Sequence, residues 1–254
     1  MEYANYPSLR DRVVVVTGGA SGIGEKIVEQ FAQQGAQVAL VDIQNEAAAH
    51  LTHRLRTGGH TEPYFLQCDL TDVNALGDCM RGIVAKFKTV DVLVNNAAND
   101  TRHSIAEVTP EYWDQSIAVN LRHQFFASQA VIPVMKKAGR GSIINMSSIC
   151  WMVPSVGMPV YVTAKAAIVG LTRTLAHELG ADNIRVNCIL PGAIFTERQK
   201  QLWFTKAYEA EILSRQALKR MIQPVEVARL VLFLAADDSN AITSQSYVID
   251  AGWV

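Results

Sequence analysis

Two hydrophobic periodicities alternate along the chain. Short apolar runs with little polar alternation occupy residues 12–17, 37–42, 63–68, 90–94, 141–146, 184–190 and 246–249. The first is almost wholly β-branched, as strands buried on both faces of a parallel sheet tend to be. Between these runs, apolar residues recur three and four positions apart, which marks amphipathic helices. Ile23, Ile27 and Phe31 make the first such stripe. Further helices are expected over residues 45–57, 73–88 and, as one long helix, 110–137. The next carries Tyr161 and Lys165 and runs to Leu179, with Ile168, Leu171, Leu175 and Leu179 facing the core. A last one, over 225–235, turns Val227, Leu230, Val231 and Leu234 to one side. Strand and helix alternate throughout, which predicts an α/β doubly wound sheet with helices on both faces. Neither a repeat nor a linker interrupts the pattern, so residues 1–254 are expected to form one domain. Residues 197–214 are polar with Trp203, Phe204 and Tyr208 inserted. They follow the carboxyl end of a strand, where a lid around 195–215 is expected.

Composition narrows the function classes. Hydrophobic residues make up 49% of the 254, enough for a sizeable core, and 19% are charged. Lys and Arg number 23 against 24 Asp and Glu, a net charge of -1 that gives no electrostatic reason for binding nucleic acid or an anionic membrane. The longest apolar runs, 13–16 and 231–236, are far too short to span a bilayer. Residues 1–7 lack the basic and apolar regions of an export signal, so a cytoplasmic enzyme is expected. Cys68, Cys79, Cys150 and Cys188 form no CxxC pair and are expected as free thiols. His50 and His53 have no further ligands near them, and no metal site is expected.

The candidate chemistry sits where strands end. Gly18-Gly19-Ala20-Ser21-Gly22-Ile23-Gly24 joins the first strand to the first helix. Glycines there let the backbone approach a pyrophosphate while the helix N–H groups face the anion. The second strand ends in Asp42, 18 residues after Gly24. A carboxylate in that place accepts from both adenosine ribose hydroxyls and repels a 2′-phosphate. Positions 21 and 43 hold Ser21 and Ile43 rather than Lys or Arg, so NAD is expected over NADP. Asp69, with Leu70, ends the third strand as either an adenine contact or a helix cap. Asn95-Asn96-Ala97-Ala98 ends the fourth, with small residues where a ligand can lie against backbone and Asn95 expected to be structural. Ser147-Ser148 ends the fifth, as a turn or as catalytic hydroxyls beside the cleft. Pro191-Gly192 ends the sixth. Tyr161 and Lys165, four apart, share a helix face. A cation close to a phenol favours the phenolate, which makes the two a candidate proton-transfer pair. Asn120 has apolar Ile117, Val119 and Leu121 around it, so its amide is expected to be at least partly enclosed.

Together these residues resemble the short-chain dehydrogenase/reductase family from Arg12 to Trp253. The likeness rests on Thr17-Gly18-(x)3-Gly22-x-Gly24, Asp42, Asp69, Asn95-Asn96-Ala97, Asn120, Ser148, Tyr161-(x)3-Lys165 and Pro191-Gly192 with Thr196. It implies a seven-stranded sheet of order 3-2-1-4-5-6-7 and a homotetramer or homodimer built through the Asn120 and Tyr161 helices. It implies Asn120, Ser148, Tyr161 and Lys165 as the catalytic set, Ser148 being favoured over Ser147 by its distance from the tyrosine. It also implies Ile194 and Thr196 as contacts to the carboxamide and pyrophosphate. The chain departs from the family pattern at Ala98, Ser244 and Ala251, where glycine is usual.

At finer grain, residues 99–103, 119–123, 149–151, 196–199 and 250–253 resemble bacterial NAD-dependent aldose 1-dehydrogenases acting on D-galactose, D-xylose or L-arabinose. A sugar needs fixed donors and acceptors and an apolar wall. Asn99, Arg102, His103, Ser148, Trp151, Tyr161 and Trp203 are the candidate substrate contacts, with Asp100 beside them. The same catalytic residues would serve a 3-oxoacyl or other ketone reductase. From another class, the scaffold could carry an inactive nucleotide-sensing regulator.

Overall fold

The computed structural model describes residues 3–254. Seven parallel strands form one sheet in the order β3-β2-β1-β4-β5-β6-β7. They are β1 (Val13–Thr17), β2 (Gln37–Asp42), β3 (Tyr64–Gln67), β4 (Val92–Asn95), β5 (Gly141–Met146), β6 (Ile184–Pro191) and β7 (Ser246–Ile249). The order reverses between β1 and β4, where Val14 pairs with Val92 on one side and Val38 on the other. A reversal of that kind opens a crevice beyond the carboxyl ends of the strands.

Helices α1 (Gly22–Gln33), α2 (Asn45–Thr57), α3 (Val73–Phe87), α4 (Pro110–Ile117), α5 (His123–Ala138), α6 (Pro159–Leu179), α7 (Glu197–Leu202), α8 (Lys206–Arg215) and α9 (Pro224–Ala235) complete the order. The unbroken apolar run of β1 is explained by its two neighbours. Val14 and Val16 pack in the core shared with α1, α2 and α9, while Val15 packs in the core shared with α3, α5 and α6. Both faces of every central strand are thus dry, and burial on each side drives the layering.

One expectation is corrected. The long helix over 110–137 is two helices, separated by a π-helical turn at Ala118–Arg122. The residues over 197–214 are likewise two helices, α7 and α8, each capped by a threonine: Thr196 accepts from Gln199 N–H and Thr205 from Tyr208 N–H. At the start of α3, Asp72 is the cap, accepting from Asn74 and Ala75 N–H, while Asp69 turns onto Thr71 and stays exposed.

Asn95 has the structural role expected of it. Its Nδ2 donates to Asn145 Oδ1 at 2.9 Å, and Asn145 Nδ2 donates to Thr172 Oγ1 at 3.0 Å, so β4, β5 and α6 are cross-tied in the core. All four cysteines are buried and unpaired. Among the described residues no helix is long and apolar enough to cross a membrane. Ser244 and Ala251, two of the three departures from glycine, have φ of 62° and 60°. Each holds a left-handed conformation that glycine adopts without strain.

Candidate active site

A cleft of about 1360 Å³ runs along the carboxyl ends of the strands. It is large enough for a dinucleotide with a small substrate beside it. Every strand delivers its end or its following segment to the wall: Gly18 and Ser21, Asp42 and Ile43, Asp69 and Leu70, Asn96 to Ala98, Ser148, Pro191 with Gly192, and, after β7, Trp253. Gly22, Ile23, Ile194, Thr196, Tyr161 and Lys165 also line it.

The glycine turn is built for close approach. Gly18 has φ 63°, and a β-carbon on Gly24 would stand 1.9 Å from the Gly18 oxygen. Gly24 therefore lets the first turn of α1 press against the loop rather than touching a ligand itself. Asn96 holds the loop from the other side, with Nδ2 donating to the oxygens of Gly18 at 2.8 Å and Thr17 at 3.2 Å. Ser21 caps α1 with extended backbone and no side-chain bond, so the N–H groups of the first turn face the cleft. Asp42 is 5% exposed; its Oδ2 accepts from Ala20 N–H at 2.9 Å and its Oδ1 from Gln44 N–H at 3.0 Å. The same carboxylate thus joins the loop to the end of β2 and lines the cleft. These features fit a nicotinamide dinucleotide: a phosphate cradle, an acid on the ribose side and small residues at Ala97 and Ala98.

Farther along, Ser148, Tyr161 and Lys165 come together. Lys165 is 1% exposed, and its Nζ donates to the Met146 oxygen at 2.8 Å while standing 5.4 Å from the centre of the Tyr161 ring. Burial lowers its pKa to about 8, against the opposing pull of Cys150, Cys188 and Asp100. Burial raises the Tyr161 phenol above its ordinary value, and Cys150 and Asp100 add to the rise. Arg102 and the Ser148 hydroxyl work in the other direction. The expectation that Lys165 lowers the phenol in the bare fold is therefore corrected: desolvation of a buried phenolate outweighs a lysine aimed at a carbonyl. Ser148 Oγ accepts from Cys150 N–H at 3.1 Å, which fixes the hydroxyl at the start of its turn.

Asn120 is fully buried within the π turn and does not line the cleft. Its amide clasps one residue from both sides, accepting from Asn99 N–H at 2.9 Å and donating to Asn99 O at 3.0 Å. Asn99 Oδ1 in turn accepts from Arg198 at 3.1 Å, and Asp100 accepts from Gln199 Nε2 at 2.5 Å. The loop after β4 is so joined to α7 across the cleft.

The candidate substrate residues divide. Asn99 and Arg102 line the cleft with Ser148 and Tyr161, but His103, Trp151 and Trp203 do not. His103 Nε2 accepts from Val160 N–H, which puts the ring proton on Nδ1, between Thr101 O and the Tyr112 hydroxyl. Trp203 lies behind the wall, with the Arg102 guanidinium 5.3 Å over its ring. Trp151 sits on the turn after β5, 38% exposed. The aromatic residues on the wall besides Tyr161 are instead Trp253, Tyr208, Phe195 and Tyr112. The tail carries Trp253. Asp250 brings it there by accepting from the N–H groups of Gly252 and Val254, which folds the tail back. Sequence spacing holds no signal for that fold-back beyond an Asp two residues before a glycine.

Residues 18–254 match the model of the enoyl-(acyl carrier protein) reductase family. The chain is 50% identical over 249 residues to "Probable galactose dehydrogenase GalD" of Rhizobium meliloti (strain 1021), covering 98% of this chain and 97% of that one. It is 49% identical over 253 residues to the D-xylose 1-dehydrogenase of Caulobacter vibrioides (strain NA1000 / CB15N), with both chains covered in full. Among solved structures, a 7α-hydroxysteroid dehydrogenase in complex with NADH and 7-oxo glycochenodeoxycholic acid superposes with a TM-score of 0.92 at 30% identity, covering 99% of this chain and 98% of that one. With the strand order, the glycine cradle and the Ser148, Tyr161 and Lys165 cluster in place, the chain belongs to the short-chain dehydrogenase/reductase family.

Proposed function

We propose that this protein is an NAD-dependent aldose 1-dehydrogenase, oxidising the C1 hydroxyl of a cyclic sugar of the galactose, xylose or arabinose type to the lactone. The observation that carries the reading is the company that Ser148 and Tyr161 keep. The adjoining cleft wall presents Asn99, Asp100, Arg102 and Gln199, a dense set of donors and acceptors suited to a ring bearing several hydroxyls. The sugar dehydrogenase relatives support it independently.

The residues divide the work as follows. Gly18, Gly22 and the N–H groups of α1 hold the pyrophosphate, Asp42 the adenosine ribose, and Leu70, Ala97 and Ala98 the flat and apolar faces. Ile194 and Thr196 hold the carboxamide end. A nicotinamide cofactor, when bound, accepts the hydride from C1, and its positive charge favours the phenolate. Ser148 donates to the reacting oxygen and orients it. Tyr161 takes the hydroxyl proton, and Lys165 stabilises the phenolate and passes the proton on towards solvent. Asn120 fixes the loop from which Asn99 and Arg102 reach the sugar. The buried Asp42 carboxylate beside an uncharged Ile43 supports NAD over NADP. Residues 195–215 act as the lid, with Arg198 and Gln199 as its contacts to the opposite wall. The half-exposed Trp113 on α4 and Phe125 on α5 support assembly through that face.

The test is a substrate panel. D-galactose, D-xylose, L-arabinose and simple secondary alcohols are assayed for NADH and NADPH formation, and 3-oxoacyl thioesters for NADPH consumption. Turnover of an aldose with NAD, at least about tenfold above the other substrates in kcat/KM, is expected. Turnover confined to non-sugar alcohols or to thioesters would remove the sugar assignment.

A further inference from the structure

The helix that carries Asn120 changes register there. α4 ends at Ile117, the next five residues form a π turn, and the backbone N–H of His123 donates to the Ala118 oxygen, five residues back. Single π turns of this kind cluster at functional sites. His123 is the first residue beyond the turn. Its side chain is 0% exposed, and neither ring nitrogen reaches a partner at full hydrogen-bond geometry. The carbonyls of Ala118 and Val119 lie against the ring, and the charge that faces it is the ammonium of Lys165. Both burial and that ammonium disfavour the imidazolium, so the ring is neutral and keeps one N–H.

A leucine would fill the same space with no buried polar atom and with a better helix propensity. An imidazole there costs stability unless its N–H does something an apolar group cannot. The π register provides the task. It alters the ladder over Ala118 to Arg122, and within that stretch Asn120 points inward and clasps Asn99.

We propose that His123 is a positioning residue for the dehydrogenase reaction: its ring N–H, set against the Ala118 and Val119 carbonyls, holds the π turn and so fixes Asn120 and the substrate loop that begins at Asn99. The inference rests on the dehydrogenase reading, since the loop matters only if it meets the substrate. It does not depend on which alcohol is oxidised.

Three variants separate an N–H from mere bulk: His123→Leu, His123→Asn, which places an amide N–H near the site of Nδ1, and His123→Gln, which places one near Nε2. Each is measured for NADH affinity by fluorescence titration, for thermal unfolding, and for kcat and KM on whichever alcohol or sugar the wild type oxidises fastest. His123→Leu is expected to keep NADH affinity within about twofold while losing at least about tenfold in kcat or in KM for the alcohol. One of the two amides is expected to recover most of that loss, and which one identifies the nitrogen. Wild-type kinetics in His123→Leu, or equal impairment in all three variants, would overturn the inference. If His123→Leu does not fold, the two amides decide: unequal activity at equal thermal stability supports the proposal, and equal activity overturns it. A crystal structure of His123→Asn or His123→Gln, whichever is less active, gives a readout independent of substrate. An unchanged π register with the Asn120–Asn99 clasp intact would defeat this inference alone, whereas a wild type inert towards sugars would defeat only the sugar assignment.

Discussion

Lys165 Nζ donates to the main-chain oxygen of Met146 at 2.8 Å, at the end of the strand that delivers Ser148. The lysine is thereby held below the Tyr161 ring by the sheet itself rather than by a carboxylate. Burial of that cation with no full counter-charge beside it lowers its pKa to about 8, and it remains mostly an ammonium at neutral pH.

Tyr161→Phe removes the hydroxyl and keeps the ring. Turnover is expected to fall by at least about a thousandfold, with NADH affinity changed by no more than about twofold. Stopped assays with an NADH fluorescence titration measure both; an active variant would dismiss Tyr161 as the proton acceptor.

Asp42→Ala removes the acid facing the ribose. The ratio of kcat/KM with NAD to that with NADP is expected to drop by about tenfold or more, mainly through KM for NAD. Because Asp42 also accepts from Ala20 and Gln44 N–H groups, the variant loses stability as well, by about 1–3 kcal/mol. Coenzyme kinetics and denaturant unfolding read the two effects separately.

Ala251→Gly restores the residue suited to φ 60°. Relief of the left-handed strain outweighs the extra freedom of the unfolded glycine, and a gain of about 0.5–1 kcal/mol is expected. Differential scanning calorimetry checks it through a raised Tm.

His123 links stability to acid. Its pKa falls to about 3 in the fold, against about 6.5 when unfolded. The unfolded chain therefore binds the extra proton first, and stability is lost as pH drops from about 6.5 towards 3. The most this one group contributes is about 5 kcal/mol, and His123→Gln is expected to flatten the slope of unfolding free energy over that window. Urea titrations at pH 7, 6, 5 and 4 measure it.

The sheet was largely readable in the sequence because its strands are buried on both faces and so appear as unbroken apolar runs. The residues 37–42, 141–146 and 246–249 coincide with β2, β5 and β7, and the other strands differ by a residue or two at their ends. The π turn was not readable. Apolar spacing carries straight through Ile117 and Leu121, no glycine or proline marks the change, and only the polar Asn120 and His123 hint at it. The cofactor wall follows from strand ends, which are local features of the chain. The substrate wall depends on how remote segments meet. Trp253 arrives by the tail folding on Asp250, and His103 is taken out by Tyr112 and Val160, neither of which shows in spacing.

Asn120 grips the N–H and the C=O of a single residue, Asn99, and so holds the two peptide groups that flank it. The loop beyond β4 thus swings from a fixed pivot rather than from a soft hinge. Adaptation to sugars of different shape has to come from Asp100 onward and from the α7 side, while Asn99 stays still. Laboratory evolution for new sugars should accordingly collect changes at residues 100–102 and 198–199 and leave residue 99 alone.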